Sequence, residues 1–198
     1  RQSQKLFEKL ATGNPTIPRY ACDVSMAFNN LAFVAFKAGD RPKARIFLNS
    51  AIKWLEVATK LSPQDRTIRH QALSCFSGLR TLGEHKAAAD GAIEFARKFP
   101  NGGIEFFQAA RILADCSKSV EEDSEQSNSE REIARRNYQD RAVQMLVQAL
   151  QMGFDDYAQL RDEDDLDPIR NLPAFKELLE KHAPPMKEAV PDERSSDQ

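Results

Sequence analysis

No stretch of this sequence is apolar for long enough to cross a membrane. The longest uninterrupted apolar run is Leu31 to Phe36, against the roughly 18 or more residues that a spanning helix needs. No N-terminal stretch combines a basic start, an apolar middle and a small-residue cleavage site, so nothing in it argues for export. Cysteine is scarce. Cys22, Cys75 and Cys116 are odd in number and far apart, which excludes a disulfide framework and a Cys-x-x-Cys metal knuckle. Buried free thiols in a reducing cytoplasm are the expectation. The histidines, His70, His85 and His182, share no ligand spacing with one another or with the cysteines, so no zinc site is expected.

The signatures of catalysis are missing too. There is no Gly-rich phosphate loop, no His-Arg-Asp and no Asp-Phe-Gly, which a protein kinase would need. There is no Gly-x-Ser-x-Gly and no cysteine with a histidine partner in its sequence context. The acidic run Asp162-Glu163-Asp164-Asp165-Leu166-Asp167 invites a calcium reading. Counted as a calcium loop from Asp162, however, it places Leu166, Asp167 and Pro173 where a ligand, a glycine and a glutamate belong. It reads instead as helix-capping and solvated acidic surface. The chain is therefore expected to be no enzyme and to use no cofactor and no metal.

What is present suits one domain or one run of repeats: 198 residues, 41% hydrophobic and 29% charged. The net charge of -2 hides a gradient. Residues 1–111 hold 17 Lys and Arg against 9 Asp and Glu, while residues 112–198 hold 11 against 21. A basic front and an acidic back can associate head to tail, so a homo-oligomer is a possible state. The basic residues are dispersed among acids with no aromatic stacking platform, and nucleic acid is not expected as a partner. The chain opens at Arg1, inside a helical pattern, and is expected to be a piece of something longer.

The strongest signal is helical repetition. Met26, Phe28, Leu31, Ala32, Ala35 and Phe36 recur at helix-face spacing before Ala38-Gly39-Asp40 ends one helix and starts another. Gly39 supplies a left-handed terminal residue, and Asp40 can cap the next helix ahead of Pro42. That helix carries Ala44, Leu48, Ala51, Ile52 and Leu55 to Leu61-Ser62-Pro63. The same grammar returns with Ala72, Cys75, Phe76 and Leu79, a Leu82-Gly83-Glu84 turn, then Ala88, Ala92, Ile93 and Phe95 to Pro100. Gly39 to Gly83 and Ala44 to Ala88 are both 44 residues. A third copy runs from Ile104, Phe106, Ala109, Ala110 and Leu113 to Tyr138, Ala142, Leu146 and Leu150. Between its halves, residues 117–132 are polar and rich in acids, and are expected to stay without structure.

These pairs resemble tetratricopeptide repeats, whose pattern is W-x2-L-G-x2-Y, then A-x3-F, then P. The copies read Phe28-x2-Leu31-Ala32-x2-Ala35 with Ala44-x3-Leu48 and Pro63, then Ala72-x2-Cys75-Phe76-x2-Leu79 with Ala88-x3-Ala92 and Pro100. The third reads Phe106-x2-Ala109-Ala110-x2-Leu113 with Ala142-x3-Leu146. Several aromatics of the pattern are replaced, and the usual period of about 34 residues is stretched. The run from Leu160 to Leu179 is similar to the segment that closes many bacterial tetratricopeptide arrays, an ending frequent in bacterial serine/threonine protein kinases of the eukaryotic type.

The resemblance implies an all-α fold: a right-handed superhelical array of antiparallel helix pairs with a C-terminal capping helix. Residues 1–13 would close a preceding repeat. Repeats would span 18–63, 66–100 and 103–152, a cap 153–182 and a flexible tail 183–198. Function would be protein–protein interaction, in the non-catalytic C-terminal region of a larger bacterial signalling protein related to serine/threonine kinases, and cytoplasmic. The alternative is a structural or self-association module without a peptide ligand.

In such an array the first helix of each pair lines the concave face. The stripes beside the core face are Met26, Asn30, Phe33 and Lys37; His70, Ser74, Ser77 and Thr81; and Ile104, Gln108, Arg111 and Asp115. Met26, Asn30, Phe33, Lys37, His70, Ser74, Ser77, Gln108 and Arg111 are the expected peptide-binding residues. Their amides, hydroxyls, cations and apolar groups suit an extended peptide, whose backbone needs partners and whose side chains need pockets. The two-carboxylate clamp of chaperone-tail binders is met only loosely, by Asn30 and Arg111, and chaperone tails are not expected as ligands.

Overall fold

The structure, a computed structural model, describes residues 2–99, 101–122 and 126–182. The described residues are all-helical and contain no strand. Ten α-helices follow one another: α1 (Gln2–Gly13), α2 (Pro18–Lys37), α3 (Arg41–Leu61), α4 (Arg66–Thr81), α5 (His85–Ala96), α6 (Gly103–Ser119), α7 (Asn128–Gln151), α8 (Tyr157–Asp162), α9 (Asp167–Arg170) and α10 (Pro173–His182). Short 3-10 turns occupy Val120–Glu122 and Asp164–Leu166.

From α1 to α7 each helix packs on the next, and α2 with α3 and α6 with α7 make the most extensive contacts. Alternate helices also touch, α2 with α4 and α4 with α6, so the first helices of successive pairs lie side by side. Small side chains permit this closeness. Ala44, Ala88, Ala110 and Ala142 are wholly buried, and Ala32 nearly so. Gly91 goes further, since a Cβ there would stand 2.4 Å from Cε1 of Phe76.

Three helices end alike. Gly39, Gly83 and Gly153 are the positive-φ residues among those described, at 78°, 85° and 85°. In each case the glycine N–H and the following N–H turn back on the helix: Gly39 to Phe36 O and Asp40 to Ala35 O, Gly83 to Arg80 O and Glu84 to Leu79 O, Gly153 to Leu150 O and Phe154 to Ala149 O. This is the double bond of a Schellman ending, which satisfies carbonyls left orphaned at a helix C-terminus and favours glycine. Asp40 then accepts from Lys43 N to start α3, and Asp65 accepts from Thr67 N and Ile68 N to start α4.

The segment after α7 folds back on α6. Leu160, Leu166, Ile169 and Phe175 are fully buried there, and the turn at Asp164–Leu166 and α9 both pack on α6. Phe154 stacks on Phe107 with ring centroids 4.3 Å apart. Gly103 makes room for it, because a Cβ there would meet Phe154 N at 2.7 Å.

The expectation that 117–132 lacks structure is corrected for its described residues. Ser117 and Ser119 lie in the last turn of α6, Val120 is 1% exposed, and α7 starts at Asn128. Local bonding supplies what the composition lacks. Ser127 and Glu130 form a reciprocal capping box, and Glu132 holds Arg135 and Arg136 one turn on. Residues 123–125 and the expected tail 183–198 lie outside the described residues.

Candidate binding groove

The exposed side of α4 is the floor of a groove. Arg66, His70, Ser74 and Thr81 are exposed on it and Ser77 is half-buried. One wall is α2 and the other is α6 with the loop after α7. Three cavities follow this floor. The first, about 520 Å³, lies among Asn29, Asn30, Phe33, Phe36, Lys37, Leu48, Ser74, Gly78 and Thr81. The second, about 200 Å³, lies among His70, Ser74, Ser77, Gln108, Arg111, Asp115 and Asp165. The third, about 440 Å³, lies among Arg66, His70, Ile104, Gln108, Phe154, Asp155, Asp156 and Gln159. Ser74 belongs to the first two, and His70, Leu73 and Gln108 to the last two, so the three adjoin one another as a channel along α4.

Eight of the nine expected binding residues line that channel: Asn30, Phe33, Lys37, His70, Ser74, Ser77, Gln108 and Arg111. Met26, 47% exposed on α2, lines none of the three cavities. Phe33 is 61% exposed, and Lys37 Nζ sits 5.4 Å from the centroid of its ring. The cation is held over the aromatic face and, among the described residues, has no carboxylate partner.

Arg111 is not open to a ligand. Its Nε donates to Asp165 Oδ2 at 3.1 Å, its Nη2 pairs with Glu163 Oε1 at 3.0 Å, and its Nη1 donates to Gln108 Oε1 at 3.0 Å. The acidic run read as helix-capping and solvated surface thus supplies the partners of this α6 arginine. Asp115 pairs with Arg80 at 3.4 Å, and Arg80 Nη1 donates to Ser119 Oγ. Burial raises the Asp115 carboxyl above its ordinary value, with Arg80 opposing the rise.

Residues that sequence reasoning missed include Asn29 and Phe36 on α2 and Asp155 and Asp156 beyond α7. The first two adjoin the expected stripe, but the pattern placed Phe36 on the core side. Asp155 and Asp156 reach the groove only because the chain reverses at Gly153, a turn with the same glycine signal as those at Gly39 and Gly83. The thiols do not contribute. Burial pushes Cys75 and Cys116 up to about 12, which leaves them protonated and unreactive at neutral pH. Among the described residues no three His, Cys, Asp or Glu side chains converge as metal ligands would.

No protein-family model matches the chain, and no curated protein or solved structure matches it.

Proposed function

We propose that this chain is a tetratricopeptide-like interaction scaffold that binds an extended peptide, or an extended segment of a partner protein, along α4. One observation carries the reading: the three cavities share lining residues and adjoin along α4, and their surface mixes amide, hydroxyl and aromatic groups. An extended peptide exposes one N–H and one C=O per residue, and Asn29, Asn30, Ser74, Ser77 and Gln108 offer donors and acceptors for them. Phe33, Phe36 and Leu48 offer apolar contact for side chains. Contact between alternate helices and the repeated glycine endings support the comparison with tetratricopeptide arrays.

On the same resemblance, the chain is the non-catalytic part of a larger bacterial signalling protein related to serine/threonine kinases, working in the cytoplasm. Affinity capture from host lysate with the full chain, against an Asn30→Ala/Phe33→Ala variant of equal helicity, tests the binding role. A partner retained by the first and lost by the second supports the groove. Identical retention by both removes it.

A second reading, self-association without a peptide ligand, has its own observation. Leu6 and Leu10 on α1 are 57% and 36% exposed, an apolar stripe at one end of the helix series. Sedimentation equilibrium that finds only monomer up to 100-micromolar order concentrations would remove it.

A further inference from the structure

The groove is electrically uneven, and the unevenness runs along its length. Among the described residues, Lys37 is the only charged one lining the first cavity, and it stands beside Phe33 and Phe36. At the opposite end, Asp155 and Asp156 face one cation, Arg66. Neither aspartate makes an ion pair with a described residue, and Asp156 keeps one oxygen on Gln159 N. In the middle the charges are already committed: Arg111 to Glu163 and Asp165, and Asp115 to Arg80. What the middle offers a visitor is His70, Ser74, Ser77 and Gln108, none of which carries a fixed charge.

We propose that the groove selects a bipolar peptide: an acidic residue beside a large apolar side chain at the Lys37 end, a neutral stretch, and a basic residue at the Asp155–Asp156 end. This rests on the peptide-groove reading above and gives it a ligand class. The spacing follows from the floor. Arg66 and Thr81 are the ends of α4, and at 1.5 Å per residue they lie about 22 Å apart. An extended chain advances about 3.3 Å per residue, so about seven residues span the floor. Opposite charges at the two ends would fix the direction in which the peptide lies, because the reversed orientation would set like charges against each other at both ends.

The test uses the full chain and an immobilised library of heptapeptides randomised at every position. Alongside it run Lys37→Glu, Asp155→Lys and Asn30→Ala/Phe33→Ala, each checked for unchanged helicity. The two charge changes are at exposed positions outside the core. The expected result is retention of peptides with an acid near one end and a base near the other. Lys37→Glu should reverse the acid preference to a base preference at its end alone. Asp155→Lys should weaken basic-ended peptides at least tenfold. Retention that Asn30→Ala/Phe33→Ala abolishes, but that shows no charge preference or the same sign at both ends, overturns the bipolar selection and leaves the groove standing. No sequence retained above the Asn30→Ala/Phe33→Ala variant overturns both.

Discussion

Replacing Arg69 with alanine would strand a buried carboxylate. Glu105, on α6, is 2% exposed, and its Oε1 pairs with Arg69 Nη1 on α4 at 3.0 Å. The Arg69 guanidinium also lies 4.9 Å from the centroid of the Phe99 ring. The pair therefore ties together two first helices whose side-by-side placement forms the groove. Its geometry is incomplete, since Arg69 Nε and Glu105 Oε2 are buried without hydrogen-bond partners among the described residues. Removing one member of a buried pair typically costs about 3–5 kcal/mol, whereas replacing both with apolar groups of similar volume is often neutral or better. For a chain of this size, each kcal/mol moves Tm by about 2–4 °C. Arg69→Ala should therefore lower Tm by roughly 10 °C, read by circular dichroism at the helical band. Arg69→Met/Glu105→Leu should regain most of that loss. A single variant within about 2 °C of the parent, or a double variant as damaged as the single, would refute the reasoning.

Gly83→Ala forces a Cβ into a backbone at φ 85° and should cost about 1–2 kcal/mol by urea unfolding. Gly91→Ala should cost about 1–3 kcal/mol, because its Cβ would stand 2.4 Å from the Phe76 ring. Cys75 and Cys116, pushed up to about 12 by burial, should resist a thiol reagent at pH 8 until the chain unfolds. Their shift also sets a sign with pH. The unfolded thiols ionise near their ordinary value while the folded ones stay protonated, so this stability is intact below about pH 9 and lost as pH rises towards 12. Each thiol contributes a slope of about 1.4 kcal/mol per pH unit in that window, and unfolding curves of Cys75→Ala should show a shallower decline there.

Much of the fold was legible because its signals are local. Gly39-Asp40 and Gly83-Glu84 sit where Schellman endings turn the chain, and a glycine followed by a cap-forming acid is visible without any tertiary information. The helix-face alanines were legible for the same reason, because close approach demands small side chains at fixed spacing. Glu105 was not legible. In sequence it resembles any acid in a first helical turn, and only Arg69, 36 positions earlier, accounts for its burial. The described residues of 117–132 departed from expectation differently. Its composition argued against order, yet Ser127 and Glu130 stand at capping-box spacing and Val120 finds a buried site. Local bonds outweighed a poor hydrophobic count.

The candidate site was half legible. Helical spacing alone put Asn30, Phe33, Lys37, His70, Ser74, Ser77, Gln108 and Arg111 on neighbouring stripes, and these line one channel. The loss of Arg111 to Glu163 and Asp165 was beyond reach, because the pairing spans more than 50 positions and depends on where Leu166 and Ile169 bury themselves. Arg111 accordingly belongs to the packing of the segment after α7 on α6, and Lys37 is left as an open cation in the first cavity.

The most direct test of the central claim is photo-crosslinking from Ser74, which lines both the first and second cavities. A Ser74→p-benzoylphenylalanine chain, irradiated in lysate of its native host, should attach to one extended segment of a partner, and Asn30→Ala/Phe33→Ala should abolish that adduct. Crosslinks from the same substitution at Leu6 that join only copies of this chain, with none from Ser74, would contradict the account and make the array a self-assembly module.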